Sequence, residues 1–172
     1  MRGAIIAGMT PPASGARRAR HAPIVFAGSV FAIIDDGDTQ PEEYLEAEAL
    51  IAAKAEELHG GLGCIVIVPV GAKPPPEAQR KAIDGVLTRL SSHLRGLVWV
   101  VEGRGFAAAA IRGVLIGLAL YGRRPYPTQV STSLDDGLGW LFTKLGASAE
   151  ADAIQAAARR IVEARAEYQK AR

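Results

Sequence analysis

Cysteine is almost absent from this chain, which has one, Cys64, among its 172 residues. A single cysteine cannot close a disulfide within the chain, which is typical of proteins in a reducing compartment. Histidine is scarce as well, and the three histidines have no acids near them at metal-ligand spacing and form no nucleophile–histidine–acid grouping. The sequence therefore predicts no metal site, no catalytic residue and no cofactor.

Long hydrophobic runs are also missing. The stretch that comes closest, residues 106–121, is shorter than the roughly 20 residues that a membrane-spanning helix needs. It also contains Arg112 near its middle. The apolar run at the start of the chain is too short for the core of a signal peptide. We therefore expect a cytoplasmic protein that makes no membrane contact.

No large excess of one charge is present, and the formal net charge is +2. Four of the 20 basic residues lie in the first twenty positions, which contain no acid, so sixteen bases face 18 acids in the rest of the chain. A broad nucleic-acid-binding surface needs clustered cations. The charge pattern therefore disfavours nucleic acid as a partner, except at the basic N-terminal segment. We predict that this segment, residues 1–22, is a disordered tail.

What the chain does have is a set of apolar β-branched runs that alternate with helical patterns. Two short strands joined by a turn at Gly28 and Ser29 come first, and helix–strand pairs follow. This order predicts an α/β domain over residues 23–146 with a mixed, mostly parallel sheet of about five strands. Residues 147–172 predict a C-terminal helix. Its narrow apolar stripe needs a surface to dock on, either on this domain or on a partner.

Residues 97–120 are the stretch around which the rest is organised, and they predict a buried strand, a tight turn and a helix. The turn consists of five residues: Glu102, Gly103, Arg104, Gly105 and Phe106. From residue 103 the sequence fits Gly-x-Gly-x-x-Ala, a pattern that lets a backbone approach a phosphate at a helix N-terminus. Dinucleotide-binding proteins place that pattern in the first strand–helix unit, whereas here it lies past the middle of the chain. We favour a tight turn into a closely packed helix, with an anionic ligand as the alternative.

The helix after this turn, residues 107–120, is apolar on nearly every side. A helix on a sheet needs one apolar stripe, so its second face requires the C-terminal helix, a partner or a second copy. Gly113 and Gly117, four residues apart, would allow another helix to approach closely. Arg112, if buried, needs an acid, and the candidates are Glu102 and an acid of another subunit. We predict a homodimer through this helix.

The order of elements over residues 24–145 resembles the STAS fold of SpoIIAA-like anti-sigma-factor antagonists and related STAS-like proteins of bacteria. The resemblance is carried by the hairpin at residues 25–34, the strands at 64–68 and 98–101, and the strand–helix pair that ends in Trp140 and Leu141. It implies a regulatory module that binds other proteins. Such antagonists carry a phosphorylatable serine in an Asp-Ser-Ser-Gly-like motif after the second of these segments. This chain has no serine or threonine in the corresponding loop, residues 69–76, so the phosphorylation switch is not implied.

Three hypotheses follow from these observations. The favoured one is a non-enzymatic, dimeric STAS-like regulatory module with a protein partner. Its candidate contact residues are those of the turn together with Arg112, Gly113 and Gly117. The second is a small-molecule or nucleotide-binding protein that uses the turn of residues 103–106. The third is an assembly component whose basic tail and terminal helix join neighbouring molecules.

Overall fold

The computed structural model of this protein describes residues 24–35, 39–58, 61–121, 124–146 and 151–170. The strands are β1 (Ile24–Ala27), β2 (Val30–Ile34), β3 (Leu62–Val68), β4 (Leu94–Val101) and β5 (Thr128–Ser131). The helices are α1 (Pro41–Glu57), α2 (Glu77–Arg89), α3 (Phe106–Tyr121), α4 (Leu134–Lys144) and α5 (Ala151–Lys170). The tail predicted at residues 1–22 lies outside the described residues.

The five strands form one sheet in which spatial order follows chain order, β1-β2-β3-β4-β5. The β1–β2 hairpin is antiparallel, and the pairs β2–β3, β3–β4 and β4–β5 are parallel. The predicted mixed, mostly parallel sheet is therefore confirmed. One boundary differs, because β4 begins at Leu94 rather than at residue 97. Arg95 and Gly96 interrupt the apolar pattern there, although both residues continue the strand.

The crossovers between parallel neighbours all step across the sheet in one direction. Right-handed connections then place the three crossover helices on the same face. One core accordingly contains buried side chains of α1, α2 and α3, including Ile51, Leu87 and Leu115. The opposite face would be bare without further elements. It is covered by the last two helices, α4 and α5.

The second core lies beneath α4 and α5, where Leu138, Leu141 and Ile161 are fully buried. Here α5 packs on β1, β2 and α4. The sequence left open whether this helix docks on its own domain or on a partner, and it docks on its own sheet. Consequently α5 lies on the opposite side of the sheet from α3 and does not cover the second face of α3.

Both faces of the central strand β3 are covered, and all seven of its residues are buried. Cys64 faces the core under the crossover helices, whereas its neighbour Ile65 faces the core under α4 and α5. A strand buried on both sides needs a continuous apolar run, which is the pattern in the sequence. Burial raises the pKa of the Cys64 thiol, so this cysteine is a packing residue.

Candidate functional site

The turn between β4 and α3 is built on two glycines. Gly103 and Gly105 have φ angles of 91° and 90°, a region that residues with a Cβ rarely adopt. Between and after them, Arg104 and Phe106 are exposed. The Gly-x-Gly pattern is therefore accounted for by the backbone that carries the chain from a buried strand into a helix. This agrees with the tight turn favoured from the sequence.

Glu102 is held by α5, which corrects one expectation from the sequence. Its two carboxylate oxygens accept hydrogen bonds from the Nη1 and Nη2 atoms of Arg165 at 2.5 and 2.7 Å. Side chains alternate along a strand. Because Val101 belongs to the core under α1–α3, Glu102 faces the other side, toward α5. Glu102 is therefore not the partner of Arg112.

Arg112 bonds to backbone carbonyls instead. Its Nη1 atom donates to the carbonyl oxygens of Val101 and Gly103, each at 3.4 Å. Within the described ranges no carboxylate pairs with it. The side chain is only partly buried, so it needs no acid to offset full desolvation. These two hydrogen bonds link the first half of α3 to the end of β4.

The side of α3 that points away from the sheet is apolar and open. We call this surface the outer face, and it consists of Phe106, Ala109, Gly113 and Gly117. Phe106 is 91% exposed. A Cβ added at either glycine would meet no atom within 4 Å. The structure thus brings three of the residues singled out in the sequence onto one helix face, and no described element packs closely against that face.

A cleft separates α2 from α3 on the crossover-helix face of the sheet. Its volume is about 560 Å³, and apolar residues supply most of its lining. Trp99 and Val68 lie at the sheet side of the cleft. The α3 wall is formed by Ala107, Ala110, Ile111 and Val114. Ligand sites in proteins typically span about 300–1,000 Å³ and are mostly apolar, so this cleft has the size of a small-molecule site.

The sequence analysis missed this cleft. None of the five turn residues lines it, and the cleft begins one residue later, at Ala107. Its second wall is the charged side of α2, which in the sequence resembles an ordinary solvated helix face. The only sequence signal for the cleft was the excess of apolar residues on α3, which we attributed to a face covered by the C-terminal helix, a partner or a second copy.

Charged groups of α2 and the loop before it form the other wall and rim. Two ion pairs lie there, Lys81 with Glu77 at 2.7 Å and Arg124 with Asp84 at 2.9 Å. Two cations remain, Lys73 and Arg80, and no carboxylate among the described residues pairs with either of them. Both are exposed. The cleft is therefore apolar on its α3 wall and cationic at part of its rim.

A buried polar cluster adjoins the cleft at the end of β2. Nε2 of Gln79 donates to the Tyr44 hydroxyl at 3.0 Å and to the Thr39 carbonyl at 2.9 Å. The Tyr44 hydroxyl also hydrogen-bonds to Asp35, a buried carboxylate that lines the cleft. Burial is the main cause, and the Asp35 charge the next, of the raised pKa of Tyr44. The cluster thus engages Asp35 from the protein side.

A search against models of protein families finds no match for this chain, and a search of curated proteins finds none either. The STAS resemblance therefore stays a prediction. Within the described ranges, no helix combines the length and apolarity that a bilayer crossing requires. The same residues contain no group of three or more His, Cys, Asp or Glu side chains placed to hold a metal ion.

Proposed function

We propose that this protein is a non-enzymatic, STAS-like regulatory module of bacterial type that acts in the cytoplasm through protein–protein contacts, with the outer face of α3 as the surface of a homodimer. The observation that carries the proposal is the outer face itself. It is apolar, it is open, and it lies on the opposite side of the sheet from α5. The C-terminal helix therefore cannot be its cover.

The glycines of the outer face strengthen this argument. A glycine in a helix interior destabilises it by about 0.8–1.0 kcal/mol relative to alanine. At Gly113 and Gly117 a methyl group would meet nothing within 4 Å, so packing among the described residues does not require either glycine. A second helix that approaches closely would require both, because missing Cβ atoms let two backbones come together.

The state of the turn supports a non-enzymatic role. Glu102 is the carboxylate nearest the end of β4, and both of its oxygens accept hydrogen bonds from Arg165. Two parallel hydrogen bonds from one guanidinium fix the orientation of a carboxylate. Both oxygens of Glu102 are therefore engaged within the chain, and the carboxylate is directed at α5. The turn offers exposed backbone and one exposed cation, Arg104, which are features of a contact surface.

Replacing Gly113 with leucine is expected to convert the dimer to a monomer at micromolar concentration. The added side chain would project from the outer face and hold a second helix away. We expect the dimer dissociation constant to rise at least tenfold, which corresponds to about 1.4 kcal/mol. Sedimentation equilibrium of the full chain measures this constant directly.

The matched control is Val114→Leu, on the same helix and at the adjacent position. Val114 is 60% exposed and lines the cleft, not the outer face. This variant should therefore remain a dimer. Both variants should keep the far-ultraviolet circular dichroism of the parent protein. A parent chain that is monomeric throughout the micromolar range, or a Gly113→Leu dimer as tight as the parent, would show the proposal to be wrong.

Small-molecule binding is a second candidate function, favoured by a separate observation. The cleft between α2 and α3 extends to the carboxyl end of β3, at Val68. Open α/β sheets bind their ligands at that edge. This cavity favours the small-molecule alternative suggested by the sequence, although none of residues 103–106 lines it.

A further inference from the structure

We infer that the cleft between α2 and α3 is a binding site for a small amphipathic anion, a molecule with a hydrocarbon body and one anionic head group. The inference does not rest on the proposed homodimer, because none of the outer-face residues lines the cleft. It rests on the shape of the cleft, on the chemistry of its two walls and on the position of its unpaired cations.

The interior of the cleft suits a hydrocarbon body. Trp99 at its floor is 8% exposed, while Val114 on its α3 wall is 60% exposed. A ligand in the cleft would remove Val114 and its neighbours Ala107 and Ala110 from water. Burial of apolar surface stabilises a complex by about 25 cal/mol per Å² before the costs of association are subtracted. The volume of about 560 Å³ limits the occupant to a small molecule.

The charges of the α2 wall leave a positive excess at one end of the cleft. Arg80 donates from Nη1 to the carbonyl oxygen of Pro75 at 3.4 Å, which holds its guanidinium beside the loop that precedes α2. Lys73 lies in the same loop, two residues before Pro75. The two cations without a carboxylate partner therefore lie at the loop end. The Arg124–Asp84 ion pair lies elsewhere on the lining and is already neutral.

The backbone adds to this positive end. Helices α2 and α3 both begin after the carboxyl ends of parallel strands, so their N-termini lie at the same edge of the sheet. Helix N-termini carry a partial positive charge. The first turn of α3 contains no acidic residue. In α2 the first-turn acid, Glu77, is paired with Lys81 at 2.7 Å.

Asp35 is the one acidic group of the lining outside these ion pairs, and it belongs to the buried cluster. Tyr44 hydrogen-bonds to it, and its own backbone N–H donates to the Ile67 carbonyl at 2.8 Å. Its carboxylate is thus engaged by the protein. An anionic head group would approach Lys73 and Arg80 at the exposed rim, and the hydrocarbon would extend along α3 above Trp99.

The test uses the fluorescence of Trp99 in the full chain. The protein contains two tryptophans, and Trp140→Phe leaves Trp99 as the only one. Octanoate is the probe, and 1-octanol and octylammonium are controls with the same hydrocarbon and a different head group. We expect octanoate to shift Trp99 emission saturably, octanol to bind at least tenfold more weakly, and octylammonium to produce no saturable change.

Three variants in the same background locate the site. The double variant Lys73→Ala with Arg80→Ala should weaken octanoate binding at least tenfold and leave octanol binding unchanged. Val114→Glu places an acid on the cleft wall and should abolish octanoate binding. Ile116→Glu is the matched control, because Ile116 is 48% exposed on the same helix and does not line the cleft. Its octanoate affinity should equal that of the parent.

Several outcomes would overturn the inference. One is no saturable response to octanoate, and another is equal binding of octanoate and octylammonium. A third is unchanged binding in Val114→Glu. A fourth is a Trp99 emission that does not change with octanoate but shifts with protein concentration. That result would indicate that a second copy of the chain occupies the cleft. Sedimentation of Val114→Glu separates this test from that of the homodimer, since loss of octanoate binding with an intact dimer concerns the cleft alone.

Discussion

Gly63→Ala is expected to lower the free energy of unfolding by about 1–3 kcal/mol, the range typical of an overpacked core. A Cβ at this position would lie 2.7 Å from both Cγ and Cδ2 of Leu141. Gly96 is the partner of Gly63 on the adjacent strand, and a Cβ there would lie 2.9 Å from Cδ1 of the same leucine. The two glycines form a depression in the sheet, and Leu141 of α4 fills it.

The opposite change, Leu141→Ala, should cost about 2–5 kcal/mol, because it empties a fully buried site. The double variant Gly63→Ala with Leu141→Ala is the informative one. The small side chain at 141 makes room for the new methyl group at 63. We therefore expect the double variant to be more stable than the sum of the single effects predicts, by about 1 kcal/mol or more. Urea unfolding of the four proteins measures this coupling.

Gly139→Ala serves as the control on α4. Its added Cβ would meet only Ile154, at an ordinary contact distance of 3.8 Å. The substitution should be neutral or stabilising, because alanine favours the helix by up to about 1 kcal/mol. Additive effects of the changes at positions 63 and 141 would contradict the interpretation that α4 docks through this contact.

The second large effect is a loss of stability in alkaline solution. Burial raises the pKa of Cys64, Tyr44 and Tyr126 above their ordinary values of 9.0 for cysteine and 10.0 for tyrosine. Below about pH 8 these groups are protonated in both the folded and the unfolded chain, so they add no pH dependence to the free energy of unfolding. Above that range the unfolded chain releases their protons, while the folded chain retains them. The free energy of unfolding therefore falls as pH rises.

The expected slope is large because several groups act together. Each group that stays protonated only in the folded state adds about 1.4 kcal/mol per pH unit once the unfolded group ionises. Urea unfolding at intervals between pH 8 and pH 11 measures the slope. Tyr126→Phe should make it shallower, and so should Tyr44→Phe, whatever each substitution does to stability at neutral pH. A free energy of unfolding that stays constant up to pH 11 would contradict the assignment of these groups as buried and protonated.

The two functional proposals concern the same helix but can fail separately. Gly113 and Val114 are neighbours in the chain, yet one belongs to the outer face and the other to the cleft. The two residue sets do not overlap, so a substitution can change one of them and leave the other intact. A monomer that binds octanoate would refute the first proposal alone, and a dimer that does not bind octanoate would refute the second.

The sequence alone determined the elements and their class. The continuous apolar run of β3 predicted a strand buried on both sides, and the apolar excess of α3 predicted that one helix side would need cover. These features are local, because the pattern of apolar residues within a single segment predicts both its burial and its helical periodicity. The same reasoning identified Gly103 and Gly105 as a turn, since their conformation depends on the residue type itself.

Only the tertiary structure decided which surfaces meet. Arg165 lies 63 positions after Glu102, and no local pattern indicates that α5 returns to this end of β4. The sequence offered Glu102 as a partner of Arg112, whereas in the structure Glu102 faces the other side of the sheet and binds Arg165 of α5. The cleft has the same origin. It exists because of the spacing that β3, β4 and β5 impose on α2 and α3, and spacing between elements distant in the chain is a property of packing.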